Sequence, residues 1–346
     1  MLLAQPAESI VWDGSGENAR IELADAPGGT VRAAVLTPSQ IFGLAPDAEV
    51  LSIGGATSIA LPARLLSSAI GDVKDTEAAL LIGDGRHARS RILGERAQRI
   101  NARLAESGSK QASEINAYAM IDDVTYYFTS LGHFGDLGTA LKPFLQVPER
   151  FRRAVARQAV EGLNEIEKCG VYPIDIKPAN IVVNREGKLR FIDLGAAFIR
   201  SGNGELERPT IPDVPADSSN GEMYTEGYRD HRFETGPRVK AQEILTEADA
   251  SDADKFALGM TLFELSRGSL PDAIESERLP KADQGTFDGS FLVQIALMLM
   301  REGGRPSYDE ILAMPYFKAD TPSNAELADF IKKHGHDQRN ARASVA

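Results

Sequence analysis

A single cysteine, Cys169, stands in 346 residues. An internal disulfide and a multi-cysteine zinc site are therefore excluded, and a reducing compartment is the natural setting. The five histidines are scattered, with no HExxH and no Cys/His cluster, which removes the common transition-metal motifs. Long hydrophobic runs are missing too. The longest, around Phe291 to Met300, is far short of the roughly 20 residues a bilayer-spanning helix needs. The opening MLLAQPAESIVWDGSGE has no basic leader and no long apolar stretch, so no secretory signal is expected. A soluble, cytoplasmic protein without a membrane span is the expectation. Positive charge is scarce: 38 Lys and Arg against 50 Asp and Glu leave a formal net charge of -12. That balance argues against nucleic acid and anionic membranes as partners.

The chain is long enough for one large two-lobed domain and can bury a sizeable core without staples. No internal repeat occurs at solenoid or propeller periods. Residues 1–48 carry short β-like pieces, Ser9–Trp12 and Thr30–Leu36, punctuated by Gly, Pro and Asp, and read as an extension. Residues 49–131 mix strands with one charged helix over Gly94–Ser107. From there the texture becomes helical: the apolar spacing predicts helices over Phe151–Cys169, Asp254–Arg267, Gly289–Arg301 and Ser307–Met314. Residues 201–222 are rich in Pro, Gly, Ser and acids and predict a surface loop. Residues 321–346 form a C-terminal tail, and from Ile331 on its polar sequence predicts a loose segment. A small strand-rich part followed by a larger helical part fits an α+β arrangement of two lobes facing a cleft.

The chemistry concentrates in Asp175-Ile176-Lys177-Pro178-Ala179-Asn180, followed by a strand (Ile181–Asn184), a turn, a second strand (Leu189–Ile192) and Asp193-Leu194-Gly195. Phosphoryl transfer from ATP needs a carboxylate beside the attacking hydroxyl and a cation on the moving phosphoryl group. It also needs hard oxygen donors for the magnesium ions that bridge the phosphates. Asp175, Lys177, Asn180 and Asp193 supply that set in order, and the intervening hairpin returns Asp193 beside Asn180.

These residues resemble the catalytic loop H-R-D-x-K-P-x-N and the D-F-G of protein kinases. The resemblance implies a bilobal kinase-like fold, with a small β-rich N-lobe at 49–131 and a mostly helical C-lobe at 132–320. It makes Asp175 the catalytic base, Lys177 the γ-phosphate contact, and Asn180 and Asp193 the Mg2+ ligands. The lysine two positions after the base is the serine/threonine pattern, with a protein substrate implied and a monomer expected. Pro173 and Ile174 replace the family's His-Arg, so no arginine precedes Asp175 to clamp a loop phosphate. Phosphorylation-independent activity is the consequence.

Further blocks extend the likeness. Ser251 to Gly259 resembles the D-x-W-x-x-G helix, with Asp254 at its buried aspartate. Arg305-Pro306-Ser307, Glu310-Ile311-Leu312 and Pro315-Tyr316-Phe317 resemble the C-lobe ending, and imply that Arg305 pairs with a buried glutamate. Glu243 of Ala241-Gln242-Glu243 is the expected partner, with Glu234 as the alternative; Arg232 occupies the motif position after Thr225-Glu226-Gly227-Tyr228. Thr225 is the expected substrate-loop threonine.

In the N-lobe, Leu51 to Ile59 resembles the Gly-rich phosphate turn, which would place Ser52, Gly54, Gly55, Thr57 and Ile59 around ATP. Lys74, the only lysine before Lys110, is the expected cation for the α/β-phosphates, paired with Glu95 or, less well placed, Glu77. Thr125–Leu131 reads as a buried strand leading into a G-G-D-L-like hinge, Gly132 to Leu137, where backbone near Leu131 would meet adenine. Two other readings use the same residues: a pseudokinase binding module, and a kinase-fold enzyme that transfers AMP or phosphorylates a small molecule. The composition and diverged N-lobe also resemble bacterial kinases, including effectors delivered into host cells. Ser201, Thr210, Ser218 and Ser219 lie in the 201–222 loop as candidate autophosphorylation sites.

Overall fold

The structure is a computed structural model. It describes residues 9–12, 21–24, 32–34, 52–54, 58–65, 76–84, 88–113, 117–121, 124–141, 147–209, 225, 227–228, 230, 246–268, 270, 291–301 and 304–343. The chain divides into two compact units, 1–105 with 112–131 and 210–212, and 106–111 with 132–209 and 213–346.

The first unit is built on one sheet. Its strands are β1 (Ser9–Trp12), β2 (Ile21–Ala24), β3 (Arg32–Ala34), β4 (Ser52–Gly54), β5 (Ser58–Leu65), β6 (Thr76–Asp84), β7 (Ala117–Ile121) and β8 (Val124–Ser130), in the order β3-β2-β1-β5-β6-β8-β7, with β4 also on β5. The strands of residues 1–48 lengthen this sheet, since β1 pairs parallel with β5 through Ile10↔Ala63 and Trp12↔Leu65. β8 reads V-T-Y-Y-F-T-S, β-branched and aromatic residues that suit a pleated surface. Between β6 and β7 runs α1 (Ala88–Glu106), starting before the expected Gly94. Ile100 and Leu104 are fully buried along one stripe with Arg96 and Ala97, while Glu95 and Arg99 are exposed. Ser113 ties this helix to the end of β8: its N–H donates to Asn101 Oδ1 at 2.5 Å and its hydroxyl accepts from Ser130 N–H at 2.7 Å.

The second unit is mostly helical. A short α2 (Leu137–Ala140), capped by Asp136, precedes α3 (Glu149–Lys168). α3 buries Phe151, Val155, Ala159, Leu163 and Ile166 at helical spacing, as its pattern predicts. Four short strands follow the loop after it, β9 (Val171–Tyr172), β10 (Ile181–Val183), β11 (Leu189–Phe191) and β12 (Phe198–Arg200), and β13 (Leu206–Glu207) pairs with β12. β10 and β11 form the expected hairpin; β12 also pairs with β9. Next comes α4 (Glu247–Arg267), opened by a Thr246–Asp249 capping box and buried on nearly every face from Ala250 to Ser266, the mark of a core helix. It packs against α5 (Phe291–Met300) with backbones close together: a Cβ on Gly259 would lie 2.8 Å from the Ala296 carbonyl oxygen. The chain continues through α6 (Tyr308–Leu312) and α7 (Pro315–Lys318).

The expected loose tail is instead a helix, α8 (Asn324–Ala343). Ser323 and Glu326 exchange capping bonds at its start, Leu327 and Ile331 are buried, and the Phe330 ring stacks on Phe151 with centroids 4.2 Å apart. Three apolar residues at helical spacing were enough to dock an otherwise polar segment. Among the described residues, no helix is long and apolar enough to cross a membrane.

Candidate active site

β9 delivers the chain into a loop whose first turn is strained. Ile174 sits at φ 69° although it is β-branched, a conformation costing on the order of 1–3 kcal/mol unless its surroundings impose it. Here they do. Its side chain is buried, and its N–H donates to Asp254 Oδ1 at 2.7 Å. Burial on α4 pushes the Asp254 carboxyl well above the usual carboxylate range, against the opposing effect of that N–H bond.

Asp175 follows, and three side chains converge on its carboxylate. Oδ2 accepts from Lys177 Nζ at 2.7 Å and from Asn180 Nδ2 at 2.9 Å. Oδ1 accepts from the Thr225 hydroxyl at 2.7 Å and from the Thr225 N–H at 3.1 Å. Lys177 Nζ also donates to Thr225 Oγ1 at 2.5 Å, closing a ring of three polar groups. Asp175 keeps 12% of its side chain exposed and Lys177 22%, so the cluster is sheltered yet reachable. Pro178 opens the one-turn 3-10 segment Pro178–Asn180 that carries Asn180 inward.

Asn180 spends its amide hydrogens on Asp175, on the carboxylate and on the main-chain oxygen at 2.9 Å. Its side-chain Oδ1 is the amide atom that would meet a cation. The β10–β11 hairpin returns the chain so that Ile192 N–H donates to the main-chain carbonyl of Asn180 at 2.9 Å. Asp193, the next residue, takes a left-handed conformation (φ 58°, ψ 44°), and Leu194 behind it is buried. An amide oxygen and a carboxylate are the hard donors a magnesium ion takes when phosphates and water complete its shell. The donor set therefore fits Mg2+. Among the described residues, no group of three or more His, Cys, Asp or Glu side chains offers an all-protein metal cage.

Arg305 is held by an acid that the sequence motif did not indicate. Its Nη1 meets Asp230 Oδ2 at 2.7 Å with both side chains fully buried, and its Nε donates to the Leu299 carbonyl at 2.7 Å. Asp230, just beyond Tyr228, is thus a partner of Arg305; the expected Glu243 and its alternative Glu234, like Arg232, lie outside the described residues. The signal was present, since Asp230 belongs to the same T-E-G-Y-R-D segment that supplies Thr225. Tyr228 OH, in turn, donates to Glu264 on α4.

In the first unit the β4–β5 hairpin carries Ser52 and Gly54 on one strand and Ile59 on the other, with Gly54 opposite Ser58. The loop between them is residues 55–57, so Gly55 and Thr57 lie outside the described residues, as does Lys74. β6, Thr76–Asp84, contains no lysine. Glu95 is exposed on α1 and the neighbouring Arg96 is buried; the expected Lys74–Glu95 pair lies outside the described residues. Glu77 lies in β6 opposite Arg64. Leu131, half-buried, follows β8 directly, at the expected hinge.

A family model for the protein kinase domain matches residues 111–346, more than half of the chain. The chain belongs to the protein kinase family. Its α+β architecture is that of the kinase fold. Curated relatives are distant. The chain is 23% identical over 156 residues to serine/threonine-protein kinase PKH1 of Saccharomyces cerevisiae, covering 44% of this chain and 19% of that one. It is 26% identical over 207 residues to the dual specificity mitogen-activated protein kinase kinase sek-1 of Caenorhabditis elegans, 54% of each. With CBL-interacting protein kinase 29 of Oryza sativa subsp. japonica it shares 25% identity over 224 residues, 62% of this chain and 44% of that one. The kinase domain thus spans from about a fifth to just over half the length of these relatives.

Proposed function

We propose that this kinase domain transfers the γ-phosphoryl group of ATP, with Mg2+, to serine or threonine hydroxyls of a protein substrate. The observation that carries the reading is the Asp175 carboxylate gripped at once by Lys177, Asn180 and Thr225. Bound magnesium would bridge the phosphates and neutralise their charge. The protein's own groups do the rest. Asp175 orients the substrate hydroxyl and takes its proton as the new O–P bond forms and the bond to the ADP oxygen breaks. Lys177, poised between Asp175 and Thr225, neutralises the moving phosphoryl group. Thr225 fixes the segment on which a substrate would lie against the base. Asn180 and Asp193 would hold the metal through the amide oxygen and the carboxylate. With Ile174 where an arginine would sit, activity without loop phosphorylation remains part of this reading.

Two observations favour the pseudokinase alternative: β6 carries no lysine, and α1 presents Arg96 rather than Glu95 on its buried stripe. Intact mass after incubation with Mg2+ and ATP separates the readings. Phosphate-sized increments are expected in the wild type and absent from Asp175→Ala and Asp193→Ala. AMP-sized increments would replace the reaction, and no increment together with no magnesium-dependent thermal stabilisation by ATP would favour a binding module.

A further inference from the structure

The carboxylate of Glu247, in the first turn of α4, collects two hydrogen bonds and an ion-pair contact from two separate strands. Tyr172 OH donates to Oε2 at 2.5 Å and Arg200 Nε donates to the same oxygen at 2.7 Å. Arg200 Nη2 meets that oxygen at 2.5 Å and donates to the Tyr172 oxygen at 3.3 Å. Beneath this polar ring, Tyr172, Ile174, Phe198, Ala250 and Ala253 form one apolar cluster.

The three segments joined are those that set the site. β9 ends three residues before Asp175. β12 begins five residues after Asp193, pairs with β9 through Phe198↔Tyr172, and Arg200 N–H adds a bond to the Gly170 carbonyl at 2.7 Å. α4 carries Asp254, which holds the strained Ile174. The chain has no basic residue at Ile174 with which a loop phosphate could be clamped. A fixed internal carboxylate takes that place.

We infer that Arg200, Glu247 and Tyr172 form a built-in clasp that holds β12, and with it Asp193, in register with the catalytic loop without any phosphorylation. Arg200 and Glu247 are positioning residues: neither touches the reacting atoms. The inference rests on the proposed phosphoryl transfer for its consequence in rate, but not for its consequence in order. The Arg200 and Glu247 side chains are 40% and 33% exposed, and ion pairs that open to solvent add little to global stability. A loss of rate would therefore come from geometry rather than unfolding.

The test uses the full chain with Arg200→Met, Glu247→Gln and the charge-keeping Arg200→Lys, read by hydrogen–deuterium exchange over residues 198–207 and by kinetics. Expected are melting temperatures within about 3 °C of the wild type and exchange about tenfold faster in Arg200→Met and Glu247→Gln. kcat should fall by roughly 10- to 100-fold at unchanged KM for ATP, and Arg200→Lys should recover most of both losses. Phosphatase treatment of the wild type should leave its rate unchanged. Exchange within twofold of the wild type in both variants, or a rate that phosphatase abolishes, would overturn the clasp. A wild type without phosphoryl transfer would sink the proposed function instead, and the exchange data would still decide the clasp.

Discussion

Arg305 and Asp230 meet in a fully buried ion pair at 2.7 Å, joining the segment that carries Thr225 to the loop before α6. Removing one partner leaves the other charged and desolvated, which costs about 3–5 kcal/mol. Arg305→Met and Asp230→Asn should each lower the urea midpoint of unfolding strongly. The double variant should be less damaged than the sum of the two, which a double-mutant cycle would show.

Thr225 reaches both Asp175 and Lys177 through a single hydroxyl. Thr225→Val keeps the shape and deletes the hydroxyl, so kcat should fall by roughly 10²-fold with an unchanged melting temperature. Thr225→Ser should retain most of the rate. Equal rates in Val and Ser variants would show that the hydroxyl is idle.

Glu95 is exposed on α1 whereas Arg96 is buried. Glu95→Gln should accordingly change ATP affinity by less than about twofold, because exposed charge pairs are weak. Titration calorimetry with Mg-ATP measures this. A drop of tenfold or more would assign Glu95 as the partner of a phosphate-binding cation.

Gly187 turns the β10–β11 hairpin at φ 75°, and a Cβ there would lie 2.1 Å from the Asn324 carbonyl oxygen at the start of α8. Gln158 clamps the same turn, donating to the Gly187 carbonyl at 3.1 Å. Gly187→Ala adds both a strained backbone and a clash, so a loss of at least about 1–3 kcal/mol is expected, measurable by chemical denaturation. Truncation before Ser323 should destabilise as well, since it uncovers Phe151.

The clasp carries a pH signature. Bonds from Arg200 and Tyr172 hold the Glu247 carboxyl below its ordinary value, while burial and the Glu247 bond push the Tyr172 phenol upward. A lowered folded-state value means that the stabilisation is fully present above the unfolded glutamate pKa, roughly 4.3. It is lost as pH falls through the folded value. The difference in urea midpoint between the wild type and Glu247→Gln should hold at neutral pH and shrink in acid below that range. A difference that grows in acid would contradict the assignment.

The proposed catalytic centre is legible in the chain because its groups are neighbours in sequence. Asp175, Lys177 and Asn180 share one loop, and a hairpin of predictable length brings Asp193 back. The periodicity of α3 was equally local. The tail was misread for the opposite reason: the helix from Asn324 is mostly polar, and its docking depends on Phe151, far away in the chain. That Asp230 meets Arg305 was equally out of reach of the motif, whose register points to a glutamate. Register along a motif says which residue follows which, not which one a buried guanidinium reaches.

By itself, then, the amino-acid sequence determined the reactive groups, their order and the helices and hairpin that carry them, because those depend on spacing within one or two turns of chain. Tertiary structure alone decided what those groups lean on. Asp254 under Ile174, Asp230 against Arg305, Thr225 on Asp175, and Glu247 across Tyr172 and Arg200 are all contacts between distant segments. Such contacts arise when burial forces each desolvated donor and acceptor to find a partner within hydrogen-bonding distance, wherever in the chain that partner lies.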